Sequence, residues 1–214
     1  MKPGRTPRAK APAAAPGSVR IIAGRWRGTR LQVPALAGLR PSSDRVRETL
    51  FNWLQSGLSG ARVLDAFAGT GALGLEAVSR GAASAVLIER DAGAARGLAA
   101  TVAKLDATGQ VQVVNTDALT WLAAPAAAAF DLVFLDPPFA AGLWGKAMAA
   151  VLPHLAPDAW IYVESAPDAP PVAPADWQLH REGRTRDVRF ALYRNAAGQG
   201  ADTLRGVHQE PEPA

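Results

Sequence analysis

The sequence contains no cysteine among its 214 residues, which excludes a disulfide framework, a thiolate metal site and a cysteine nucleophile. Histidine is scarce. With only His154, His180 and His208 present, a multi-histidine metal cage is not expected. No apolar run approaches the ~18 residues of a membrane helix. The longest candidate, 118–130, contains Pro125 and lies between Asp117 and Asp131. No apolar stretch follows the basic start, as a secretory leader requires, so a cytoplasmic location is expected. Acids are nearly missing from the first 47 residues, which hold 11 Lys or Arg against Asp44 alone, a net charge of +10. Residues 48–214 hold 12 bases and 18 acids, a net charge of −6. A basic start on a mildly acidic body suits a nucleic-acid partner, because Lys and Arg displace counterions from phosphates.

Residues 1–18 are Pro/Ala/Gly-rich and basic, and bury too little apolar surface to offset chain entropy; they are expected to be a disordered arm. Pro3, Pro7, Pro12 and Pro16 would break the amphipathic helix of a mitochondrial presequence. Residues 19–57 form a second unit. The β-prone runs 19–23 and 29–33 flank a glycine-bounded loop, Gly24 to Gly28, and predict a hairpin. Pro41-Ser42-Ser43-Asp44 supplies helix-start chemistry. Val46, Leu50, Trp53 and Leu54 then predict an amphipathic helix over 43–55, with Arg45 and Arg47 flanking its apolar face. From 58 to 195, strands at 61–67, 84–89, 110–114, 130–135 and 159–164 alternate with helical patterns at 71–80, 91–105, 117–123 and 142–152. That alternation predicts right-handed βαβ units and a parallel sheet covered on both faces. Trp177 to Arg181 and Val188 to Tyr193 have no helix between them and predict a terminal antiparallel hairpin. Residues 196–214 lose the apolar pattern and are expected to fray.

Four constellations carry chemistry. Asp65 ends a strand that enters Gly69-Thr70-Gly71 and Gly74, and Glu89 ends the next strand. This contains the G-x-G-x-x-G of nucleotide-binding turns, and Glu89 can accept from both hydroxyls of a ribose. Asp65 would repel a pyrophosphate but suits an ammonium, which S-adenosylmethionine carries without any phosphate. Asp117, in Asn115-Thr116-Asp117-Ala118, is a third acid at a carboxyl strand end, suited to an adenine amino group or to capping a helix. Asp136-Pro137-Pro138-Phe139 follows the fourth strand of this series. A carboxylate and a proline carbonyl give two acceptors, and Phe139 a stacking face, for an exocyclic amino group on a planar base. Arg20, Arg25, Trp26, Arg27, Arg30, Arg40, Arg45 and Arg47 form the basic set. Arginine forks bind phosphates and an interleaved aromatic stacks an unpaired base.

Together these residues resemble the class I S-adenosylmethionine-dependent methyltransferases with an (Asp/Asn)-Pro-Pro-aromatic motif. More closely, the chain resembles the RsmD-type bacterial 16S rRNA guanine-N2 methyltransferases. The resemblance rests on 20–28, on 40–54, on 64–77, on Asp136 to Phe139, on Tyr162-Val163-Glu164-Ser165 and on 177–182, and covers about residues 19–195. It implies a Rossmann-like α/β fold with a seven-stranded, mostly parallel sheet ending in an antiparallel hairpin. It places Asp65, Gly69 and Gly71 at the methionine side of the cofactor, Glu89 at the ribose and Asp117 at the adenine, with Phe67, Arg90 and Ala118 lining the same site. It places Asp136 to Phe139 at a target guanine, and 40–48 in a lid over the cofactor. It implies a substrate in the small-subunit head, methylated in a partly assembled particle; a monomer is expected, and the methyl transfer requires no metal. An NAD(P) oxidoreductase would share the glycine motif, yet no catalytic Tyr/Lys or His arrangement is found. Adenine-N6 or protein-glutamine methylation, and a non-catalytic RNA-binding assembly factor, are the other readings.

Overall fold

In the computed structural model, which describes residues 17–33, 43–126, 129–138 and 142–196, strands and helices alternate as the apolar runs predict. The order is β1 (Ser18–Arg20), β2 (Arg30–Gln32), α1 (Asp44–Trp53), β3 (Arg62–Asp65), α2 (Ala72–Ser79), β4 (Ser84–Glu89), α3 (Ala92–Lys104), β5 (Val111–Asn115), α4 (Ala118–Leu122), β6 (Phe130–Leu135), α5 (Trp144–Val151), β7 (Leu155–Ser165), β8 (Trp177–Arg184) and β9 (Arg189–Asn195). β1 and β2 form a small antiparallel hairpin. The other strands make one seven-stranded sheet in the order β5-β4-β3-β6-β7-β9-β8. β3 to β7 run parallel, and β9 is antiparallel to both its neighbours. The chain winds outward from β3 in one direction and then returns through β6 in the other. That switch opens a crevice beyond the carboxyl ends of β3 and β6, where open α/β sheets bind ligands.

Two apolar layers cover the sheet. On one face α1, α2 and α3 pack through Leu50, Phe51, Leu75 and Leu98 against Val63, Leu132, Phe134 and Leu192. On the other, α4 and α5 place Leu122, Met148 and Val151 against Leu64, Val133 and Ile161. The hairpin shares the first layer through Val19, Ile21 and Leu31. Ser43 starts α1 as expected, its side chain accepting from the Val46 N–H at 3.3 Å.

Some boundaries differ from the sequence pattern for physical reasons. Ser18 pairs with Gln32 and the Gly17 carbonyl accepts from Val33, so the hairpin begins inside the expected arm. β7 begins at Leu155, four residues early, across a register irregularity between its pairings with Phe130 and Leu132. Pro157 lies in that irregular stretch, where a residue without an N–H is tolerated. Residues 1–16 of the expected arm 1–18, the segment 34–42 with Arg40, Phe139, and residues 197–214 of the expected tail lie outside the described residues. Among the described residues no helix is long and apolar enough to cross a membrane.

The hairpin is held by a carboxylate. Glu76, with no exposed surface, sits mid-helix in α2. Its oxygens accept the Ile22 N–H at 2.7 Å and the Ala23 N–H at 2.9 Å. Arg80 Nε lies 2.6 Å and Arg47 Nη1 3.5 Å from it. Arg47 is itself fully buried, and donates to the Arg20 carbonyl and to Asp44, each at 2.7 Å. Hairpin, α1 and α2 therefore meet at one ion pair. Removing one partner of such a pair strands the other, so Glu76→Ala is expected to destabilise the fold by about 3–5 kcal/mol. Urea unfolding followed by circular dichroism checks this; a midpoint equal to the parent's would mean that apolar packing alone docks the hairpin.

Candidate active site

Asp65 closes β3 and points back at the start of α2. Its Oδ2 accepts the Gly74 N–H at 3.0 Å. Gly71 caps α2 with φ +74°, a left-handed conformation that favours glycine. At Gly74 a Cβ would overlap Leu87 Cδ2 and crowd Asp65, so only glycine lets α2 close on β3 and β4. Phe67 is half-buried in the turn, and its N–H also bonds Asp65. Burial, reinforced by the nearby Glu89 charge, pushes the Asp65 carboxyl up to about 7, against the two backbone bonds that favour its ionised form.

Glu89, at the end of β4, orders the loop from outside. Its Oε2 accepts the Gly69 N–H at 2.9 Å and its Oε1 the Asp91 N–H at 2.6 Å. A carboxylate has about four lone-pair sites, so each oxygen can still accept from a ligand hydroxyl. Asn115, at the end of β5, donates to the Glu89 and Arg90 carbonyls at 2.9 and 3.0 Å. This fixes Arg90, whose side chain is exposed. Asp117 caps α4, with one oxygen, Oδ1, accepting from Leu119 and Thr120 at 3.0 and 3.1 Å. Ala118 is buried beside it. The capping role of Asp117 is thus realised, and its Oδ2 takes neither bond.

Asp136 follows β6 with Pro137 buried and Pro138 exposed; Phe139 is outside the described residues. Removal from water, with the charges of Glu164 and then Asp65 beside it, holds the Asp136 carboxyl well above the usual range. Among the described residues neither Asp65 nor Asp136 has an ion-pair partner. Glu164, near the end of β7, is buried, and the sequence pointed to it only through the family resemblance. Its carboxylate accepts the Tyr162 hydroxyl at 2.5 Å. The signal that could have found it is positional: it is one more acid at a carboxyl strand end, after Asp65, Glu89, Asp117 and Asp136.

The crevice thus presents acceptors on a glycine turn, with unneutralised carboxylates at its centre. Such a lining fits a ligand that brings a cation and N–H or O–H donors, and disfavours a pyrophosphate. S-adenosylmethionine meets those terms. Asp65 would face its ammonium and Glu89 its ribose.

The Arg25–Arg27 part of the basic set does not lie at this crevice. The Arg25 N–H bonds the Ser79 carbonyl and the Trp26 N–H bonds Ser79 Oγ, at 2.9 and 3.0 Å. Arg25 Nη2 reaches Gln110 at 2.5 Å, and its guanidinium stacks 4.1 Å above the Trp26 ring. Ser79 ends α2 and Gln110 precedes β5, so this loop sits at the foot of the sheet. The eight residues of α2 put it about 12 Å from the glycine turn. Arg20, Arg27, Arg30 and Arg45 are exposed, Arg20 within 3.6 Å of Asp44. Arg47 is the correction: it has no exposed surface and spends its forks on Glu76, Asp44 and the Arg20 carbonyl, so it cannot meet a phosphate.

Known proteins are similar to this chain in sequence and in fold. Ribosomal RNA small subunit methyltransferase D of Escherichia coli is 47% identical over 189 residues, 87% of this chain and 94% of that protein. The protein of the same name from Haemophilus influenzae is 43% identical over 91% of this chain and all of its own length. A solved Escherichia coli structure, 47% identical, superposes with a TM-score of 0.77 over 85% of this chain and 99% of its own. From residue 19 to residue 194 the chain matches, and belongs to, the family described as Conserved hypothetical protein 95.

Proposed function

We propose that this chain methylates the exocyclic N2 of a guanine in 16S rRNA, using S-adenosylmethionine, within an assembling small ribosomal subunit in the cytoplasm. The observation that carries the proposal is the Asp136-Pro137-Pro138 turn beside a glycine loop lined by Asp65 and Glu89. Its likeness to the small subunit methyltransferases D supports the choice of substrate. The bound cofactor supplies an electrophilic methyl group on a cationic sulfur. The protein supplies position and charge. Asp136 accepts one amino hydrogen of the base, and a proline carbonyl of the same turn accepts the other. Holding both hydrogens turns the nitrogen lone pair toward the methyl group. Asp136 then receives the proton that the nitrogen sheds. A carboxylate whose proton affinity is raised is a better acceptor near neutral pH than an ordinary aspartate.

Transfer of labelled methyl from S-adenosylmethionine tests this, with assembled small subunits, naked 16S rRNA and DNA in parallel. Label is expected on guanine of the subunit, and Asp136→Ala is expected to lower the rate by at least ~100-fold with cofactor affinity nearly unchanged. Label on DNA adenine, or normal turnover of the variant, would overturn the reading.

The exposed arginines of the hairpin are proposed to bind rRNA phosphates at the foot of the sheet, away from the target base. Replacing Arg25, Arg27 and Arg30 with Ala is expected to weaken subunit binding. The log–log salt slope should flatten by about 0.7–0.9 for each phosphate that is no longer neutralised. Cofactor affinity should not change, because the loop is at the other end of α2. Filter binding at several salt concentrations checks it, and an unchanged slope would return the hairpin to a solvated surface.

A further inference from the structure

We infer that Glu164, steadied by Tyr162, is a positioning residue that sets the proton affinity of Asp136; this rests on the proposed methyl transfer. Strand register carries it. β6 and β7 are parallel neighbours with Leu135 opposite Val163, so the next residues, Asp136 and Glu164, leave adjacent strands side by side. Glu164 is almost fully buried, and its position is fixed from two sides. The Tyr162 hydroxyl donates to its carboxylate at 2.5 Å, and Trp144 Nε1 of α5 donates to its backbone carbonyl at 2.7 Å. A carboxylate so enclosed cannot swing away from its neighbour.

The groups acting on Asp136 come from each adjoining element. β7 contributes Glu164 and the buried, un-ionised Tyr162; β3 contributes Asp65. β4 contributes Glu89, which acts through Asp65. Arg189, at the start of β9, is engaged by Glu182 on β8 at 2.5 Å. Among the described residues, the charges that act on Asp136 are those of Glu164 first and Asp65 second, both negative. Like charge disfavours ionisation, so the pair holds a proton more firmly than an isolated carboxylate would.

The role follows from the balance of the reaction. The N–C bond forms and the C–S bond breaks, with its electron pair left on sulfur. The proton released by the nitrogen passes to the Asp136 carboxylate. Asp136 must be ionised beforehand, so the rate falls as pH drops through its proton affinity. A neighbouring charge makes Asp136 the stronger acceptor at the expense of activity in acid.

Two readouts test this. The acid limb of the single-turnover methyl-transfer profile is measured for the parent, Glu164→Gln and Tyr162→Phe. Carboxyl-carbon NMR titration of the cofactor-free proteins follows the signal that disappears in Asp136→Asn. Glu164→Gln keeps an acceptor for Tyr162 while removing the charge. Its acid limb and its Asp136 titration are expected to move down together by about one unit or more. Tyr162→Phe, which leaves the Glu164 charge less stabilised, should move both in the same direction by less, and stands in should Glu164→Gln fail to fold. Unmoved limbs and titrations in a folded variant that binds S-adenosylhomocysteine like the parent would overturn the inference. Absence of methyl transfer by the parent to any RNA would instead remove the underlying reading, and the NMR titration would still decide the effect of Glu164 on Asp136.

Discussion

Glu76 occupies the middle of a buried helix, where an unpaired carboxylate would be driven to neutralise. Every bond that compensates it comes from a part of the chain that must therefore be in place: the Ile22 and Ala23 amides from the hairpin, Arg47 from α1, and Arg80 from the end of α2. The same helix opens at Gly71 and closes over Asp65 through Gly74. One buried charge thus links the N-terminal hairpin to the helix that opens at the glycine turn, alongside the apolar contacts of Val19, Ile21 and Leu31. A hydrophobic pairing at this position could be as stable. The ionic one fixes a single register of hairpin on helix, because each Glu76 oxygen meets its own amide.

Acids crowd the crevice for a different reason. Asp65, Glu89, Asp136 and Glu164 end adjacent strands, so the topology brings together charges that repel. Asp65 is pushed up to about 7, and Asp136 is held well above the usual carboxylate range. A cation entering beside Asp65 would relieve the repulsion, which would make the crevice selective for positive, donor-rich ligands over phosphate. Affinity and reactivity then have one electrostatic origin.

The sheet was legible because buried parallel strands read as short apolar runs separated by amphipathic helices. Asp65, Glu89 and Asp136 were legible because strand-end acids next to a glycine turn have few structural duties. Three features escaped. Arg47 reads as a surface charge, since it stands one residue after Val46; nothing local reveals that Glu76, distant in sequence, waits beneath it. Glu164 gave no pattern of its own, because one acid after an apolar strand is common. Its significance comes from register with β6, which is a long-range pairing. The place of the Arg25–Arg27 loop was also hidden. It docks by backbone bonds to Glu76 and Ser79, and backbone bonds leave no trace in side-chain periodicity.

The central claim is that a strand-end carboxylate array selects a cationic, phosphate-free nucleoside ligand. Calorimetric titration with S-adenosylhomocysteine and with NAD, about one unit below and one above pH 7, tests it most directly. The carboxyl of Asp65 in the free protein is raised, and an ammonium favours its ionised form. Binding of S-adenosylhomocysteine should therefore release a proton and tighten as pH rises through that range, while NAD binds weakly at both. Tighter binding of NAD, or an affinity for S-adenosylhomocysteine that falls as pH rises, would contradict the account.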